Sequence, residues 1–216
     1  MTGYNRKQIA EMIQRFVAGG NVSVDIEFYV EETYPIIDSL VVAYLSKQML
    51  SLDENGKVRG KDAINEMWLK KTGCQNVVTD CDCGRQTFSY TMPNNYLPLP
   101  DDSGIYMVMF KANDGNGCRW DVANKSTAKN ANTYLPSIAG IMPQNFYLQG
   151  LTIFLDYPAT KIDVWNLPVT ADLEDTDFVA LPPVSEEQFQ IMLHDYFAGR
   201  GNAPKDRIAN QMDVKQ

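Results

Sequence analysis

Four cysteines, Cys74, Cys81, Cys83 and Cys118, are the first residues whose type could do chemistry, since thiolates hold zinc and act as nucleophiles. Three of them fall in the run "CQNVVTDCDCG". Zinc sites draw their ligands from close C-x2–4-C pairs, whereas the intervals here are six, one and thirty-four residues. If residues 77–90 form a strand, Cys81 and Cys83 share one face and Asp82 lies on the other. The spacing favours structural or incidental thiols, and nothing else suggests a small disulfide-stapled secreted scaffold, so reduced cysteines are expected. The one histidine, His194, sits beside Asp195 in a helical pattern with no nucleophile near it in sequence, which reads as a surface or packed residue rather than a base. Asp172, Glu174, Asp175 and Asp177 bunch together but lack the glycine turn and closing glutamate of a calcium loop, so a solvated acidic link is expected. There is no G-x-S-x-G, P-loop or H-E-x-x-H. Trp68, Trp120 and Trp165 are scattered and read as packing residues. No catalytic residue, metal ligand or cofactor is expected from these patterns.

The elements that would position such groups must come from an ordinary globular composition. The chain has 216 residues, 44% apolar and 21% charged, with a formal net charge of -8. That length suits one domain or one core with appended helices. The acidity argues against a broad sequence-blind grip on DNA. No apolar run reaches the ~20 residues of a membrane span, and "MTGYNRKQIAEM" lacks the apolar centre of a signal peptide, so a chain made in the cytosol is expected, with no membrane partner.

Along the chain, Asn5 and Gln8 form the ends of a capping box for a first helix with Ile9, Met12, Ile13, Phe16 and Val17 on one face, ended by Gly19 and Gly20. A second helical pattern starts near Ser23, is interrupted or kinked at Pro35, and continues through Ile37, Leu40, Val41, Tyr44 and Leu45, completing a helical hairpin over residues 1–50. Residues 51–74 read as a connecting segment with a turn at Asn55-Gly56 and a short helix near Ala63 to Leu69. Residues 75–170 are rich in β-branched and aromatic residues between turn clusters and predict an antiparallel sheet or sandwich, with a polar excursion over 112–137. Residues 171–198 hold the acidic link and a C-terminal helix. Its start is marked by Pro182 and Pro183, by Ser185 with Gln188, and by Glu186 and Glu187 at the positive end of the helix dipole. Residues 199–216 read as a polar, extended tail. The fold class is thus α+β. The C-terminal helix is expected to lie back on the hairpin, with Phe189, Met192, Leu193 and Tyr196 against Ile9, Met12, Ile13 and Phe16 as the packing and assembly surface.

The order of these elements carries a resemblance. A hairpin opening "NRKQIAEMIQRFVAGGNVSVDIEFYVEETYPIIDSLVVAYLSKQ" is followed by strands broken by "YLPLPDDSGIYMVMF" and by a late "FYLQGLTIFLDYPATKIDVWNLP". The acidic link and "VALPPVSEEQFQIMLHDYFAGRGNAPKDRIAN" complete the pattern. Together they resemble the head-to-tail connector, or ring, proteins of podophages infecting Bacteroidetes, the crAss-like phages included. The resemblance runs from about residue 5 to 210 as a pattern of elements; residues 75–100 and 145–210 carry it best. It implies a structural virion protein: a homo-oligomeric ring, commonly twelvefold, docked beneath the portal protein in the portal-to-tail neck. Sheets and C-terminal segments would contact neighbouring subunits or adjacent neck and tail rings. Such a subunit assembles in the host bacterial cytoplasm and lines part of the DNA exit channel, where an acidic wall lets packaged DNA slide without sequence-specific binding.

Two other classes stay open. A carbohydrate-binding or adhesive β-sandwich of a virion or cell surface would need exposed Trp or Tyr on one concave face. A zinc-dependent enzyme would need Cys74, Cys81, Cys83 and Cys118 brought together.

Overall fold

The computed structural model describes residues 3–18, 29–82, 85–112, 120–125, 145–182 and 185–199. They form a mixed α+β chain in two compact units, Met1–Trp68 with Val169–Gln216, and Leu69–Pro168. The expected connecting segment 51–74 is therefore divided between the units.

In the first unit, α1 (Arg6–Val17) begins as its capping box dictates. Asn5 Oδ1 accepts from the Gln8 N–H at 2.9 Å, and Gln8 Oε1 accepts from the Asn5 N–H at 3.0 Å. Helix α2 (Val30–Leu50) carries Glu31 and Glu32 in its first turn, where negative charge meets the helix dipole. Pro35 does not interrupt it. The proline lies in the second turn, where it removes one intrahelical hydrogen bond, and the helix runs on through buried Ile37, Leu40, Val41, Leu45 and Met49. The expected helix start near Ser23 and the Gly19-Gly20 stop lie outside the described residues. Helix α3 (Glu186–Gly199) opens on a second capping box: Gln188 N–H donates to Ser185 Oγ at 3.2 Å, and Ser185 N–H to Gln188 Oε1 at 3.4 Å. The three helices contact one another.

Between α2 and the sheet unit, residues 51–59 fold into a small two-stranded ribbon. Leu52 and Val58 bridge antiparallel, the Asp53 N–H donates to Lys57 O and the Arg59 N–H to Ser51 O. Asp53 Oδ1 holds the turn by accepting from the N–H groups of Asn55 and Lys57 at 2.9 and 2.8 Å. The short helix expected next is two 3-10 turns, Gly60–Ala63 and Glu66–Trp68, separated by buried Ile64.

The second unit is one curled sheet. Its strands are β1 (Lys70–Lys71), β2 (Gln75–Asn76), β3 (Val78–Asp82), β4 (Arg85–Thr91), β5 (Ile105–Ala112), β6 (Trp120–Lys125), β7 (Asn145–Gln149), β8 (Thr152–Leu155) and β9 (Ala159–Asn166). The order is β1-β9-β5-β6-β7-β8-β4-β3, with β2 also on β9. Both ends of that order are one stretch of chain. Residues 70–77 run along β9, the last bond going from Val77 N–H to Thr160 O, and at Val78 the same stretch passes to β4. This handover closes the curl. Inside it Phe88, Val108, Phe110, Ile153, Ile162 and Val164, from both halves of the sheet, share one core.

Three features depart from the expected antiparallel region. The β6–β7 pair is parallel, while the others are antiparallel. Pairing starts at Lys70 and not at residue 75, because Thr72 keeps the ladder intact: its N–H donates to Val164 O, and its hydroxyl accepts the Val164 N–H at 3.0 Å. The expected excursion over 112–137 contains strand β6, whose Ala123 is buried in the core; residues 113–119 and 126–137 lie outside the described residues. Lys125, the last residue of β6, donates to Asp101 O and to Asp102 Oδ2, fastening a turn where both aspartates take left-handed backbone angles. Gly104 follows, and a Cβ there would lie 2.0 Å from Leu97 O, so only glycine fits.

Candidate functional site

The residues offered as an assembly surface gather within the first unit. Ile9, Ile13, Phe189 and Leu193 are fully buried, and Met12, Phe16, Met192 and Tyr196 are half-buried. Phe16 stacks on Phe197 with ring centroids 6.0 Å apart, and Tyr196 meets Phe197 edge-on at 5.2 Å. Phe197 was not among the expected residues. It stands four places after Leu193, a helical spacing that could have pointed to it.

The acidic link keeps Glu174 and Asp175 in solvent and is also bonded to the start of α1. Arg6, at the start of α1, donates from Nε and Nη2 to Asp175 Oδ1 at 3.0 and 2.8 Å, from Nη1 to Ala171 O at 3.4 Å, and lies 5.5 Å from the Tyr34 ring centre. The hydrogen bond to Asp175 pushes the Arg6 pKa up, against the opposing effect of burial. Asp177 Oδ2 accepts from the Glu174 N–H at 2.8 Å, and Leu173, Val179, Ala180 and Leu181 are buried. The link then pairs Phe178 with Asn5 and bonds Val179 N–H to Tyr4 O, tying the entry of α1 to the approach to α3. Glu174 and Asp175 remain exposed.

Among the described residues, groups with catalytic potential are dispersed. Cys74 and Cys81 are exposed, and Cys83 and Cys118 lie outside the described residues. Among the described residues no group of three His, Cys, Asp or Glu side chains could hold a metal ion. The His194 side chain is 67% exposed, with Nδ1 4.0 Å from Asp195 Oδ1. All three tryptophans are half-buried. The Lys71 ammonium stands 3.7 Å from the centre of the Trp165 ring, and Trp165 Nε1 donates to Asp163 Oδ2 at 3.2 Å. No helix among the described residues is long and apolar enough to cross a membrane.

Two places stand out for exposure instead. On the 51–59 ribbon, Lys57, Val58 and Arg59 are all exposed, and Leu50, Leu52, Val58 and Met67 put large apolar side chains into solvent. Asp53, Glu54, Asn55, Arg59 and Asp62 line an open polar depression beside it. On strand β3, Val78, Thr79, Asp80 and Cys81 are exposed on both faces, and β4 is the one strand paired with it among the described residues. No protein-family model matches the chain, and a search of curated proteins found no match.

Proposed function

We propose that the chain is a structural subunit of a tailed-phage virion, one copy in a homo-oligomeric ring of the portal-to-tail neck that forms part of the DNA exit channel. In this reading α1 and α2 make a hairpin with α3 laid back on it. The ring is twelvefold, and its partners are the portal protein and the adjacent neck or tail rings. DNA passes an acidic wall without sequence-specific contact. The role is structural rather than catalytic, and the subunit is assembled in the host bacterial cytoplasm and carried in the virion neck.

The order of elements in the sequence motivates the reading. The observation that carries it is the contrast within the first unit: Phe189 and Leu193 are buried in the helical layer, whereas Leu50, Leu52, Val58 and Met67 are 53–74% exposed within eighteen residues of chain. Exposed apolar side chains so close in sequence support a surface that another protein covers. The test is native mass spectrometry and electron microscopy of the purified chain, with antibody labelling of phage particles. Closed rings, and label at the junction of head and tail, are the expected result. A chain that stays monomeric at all concentrations and is absent from virions would overturn the proposal.

A further inference from the structure

Two strands present open edges of complementary chemistry. Strand β3 is exposed on both faces from Val78 to Cys81, and the 51–59 ribbon is exposed from Lys57 to Arg59. The 51–59 ribbon has only two strands, a form marginal in water until a third strand or a covering layer joins it, and β3 is the end strand of its sheet among the described residues. Each edge also carries unspent backbone hydrogen-bonding capacity. The Leu52–Val58 bridge is flanked by the Asp53-to-Lys57 and Arg59-to-Ser51 bonds, so it is a non-hydrogen-bonded pair and the Val58 N–H and C=O point outward. On the far side of β4 the Met92 N–H donates to Leu151 O, so the alternation turns the Phe88 N–H and C=O towards β8; Thr79, paired with Phe88, and Cys81 two residues on then point theirs outward.

We infer that β3 of one copy pairs antiparallel with the Lys57–Arg59 strand of a second copy, Cys81 facing Val58 and Asp80 facing Arg59. This rests on the ring reading and names its subunit contact. Charge selects the occupant. Pairing of β3 with itself about its midpoint would set Asp80 against Asp80, which disfavours a two-fold dimer. Pairing with Lys57–Arg59 sets a cation opposite that carboxylate, and a contact between two different surfaces is the kind that propagates into a ring. The backbone ladder supplies affinity, and the ion pair supplies register and choice of partner.

The test uses the full chain with Cys74, Cys83 and Cys118 changed to serine and Val58→Cys added. Cross-strand Cα separations of ~5.5 Å lie within disulfide range. Mild oxidation should therefore join copies through Cys81 into a ladder of covalent multimers, and adding Asp80→Lys should cut the yield at least about ten-fold. Combining Asp80→Lys with Arg59→Glu should restore it, while Lys57 stays opposite Asp82. Both sites are exposed, so the melting temperature of each variant should stay at the wild-type value and reports that the fold is intact. Rings that form without this cross-link, or that tolerate Asp80→Lys, would overturn the inference and leave the ring reading standing. A wild-type chain that never self-associates would overturn both.

Discussion

Asp38 on α2 receives two hydrogen bonds on one oxygen, from the Thr170 N–H at 2.8 Å and the Thr170 hydroxyl at 2.6 Å, across 132 residues of sequence. The carboxylate thereby fixes the 3-10 turn Thr170–Asp172 against the helix. Burial pushes the Asp38 pKa up; the two Thr170 bonds oppose this and the Asp172 carboxylate adds to it.

The sign of the pH effect follows. A carboxyl whose folded pKa lies above its unfolded value binds its proton more tightly when folded, so its contribution to stability improves as pH falls through the folded pKa and levels off below the unfolded one. Asp38→Asn keeps an oxygen for Thr170 but removes this titration. Denaturant unfolding across the acid range should show the wild type gaining stability relative to Asp38→Asn as pH falls. A difference that does not change with pH would remove the assignment.

Phe189 is 1% exposed and His194 has a side chain 67% exposed. Phe189→Ala should cost ~3–5 kcal/mol, the usual result of emptying a core aromatic site, and His194→Ala within about 0.5 kcal/mol. Equilibrium unfolding of the two variants in urea measures both. Equal losses would mean that α3 is not held by its buried face.

The seam of the sheet gives a local test. Thr72→Val leaves the Val164 N–H without the hydroxyl it donates to, at a cost of about 1–3 kcal/mol, while Thr72→Ser should recover most of it. Amide exchange at Val164 should accelerate in the valine variant alone. Gly104→Ala should be worse than either, since its methyl would meet Leu97 O at 2.0 Å.

The thiols are tested by metal analysis. Chain purified without added zinc should carry no stoichiometric metal, and a chelator should leave its melting temperature unchanged. Bound zinc together with unfolding on chelation would instead restore the zinc reading of the four cysteines.

The sequence by itself determined what depends on neighbours along the chain. The boxes at Asn5–Gln8 and Ser185–Gln188 join residues three apart, so the starts of α1 and α3 were legible. The apolar faces that place Ile9, Ile13, Phe189 and Leu193 indoors were legible for the same reason, because helical periodicity is local. Pro35 left open whether the second helix would break there, and α2 runs on through it.

Only the tertiary structure decided the partners. A strand period of two says which side chains share a face and nothing about which strand lies alongside, so neither the parallel β6–β7 pair nor the inclusion of β6 in the sheet could be read from residues 112–137. The same holds for the double pairing of residues 70–82, which depends on a hydroxyl at Thr72 meeting Val164 across 92 residues. Arg6 and Asp175 are 169 residues apart, so their ion pair could not be read from the run of four acids, although the Asp175 side chain stays 77% exposed within it. Contacts of that span are selected by burial and charge in the assembled chain, where the free energy of each depends on all the others.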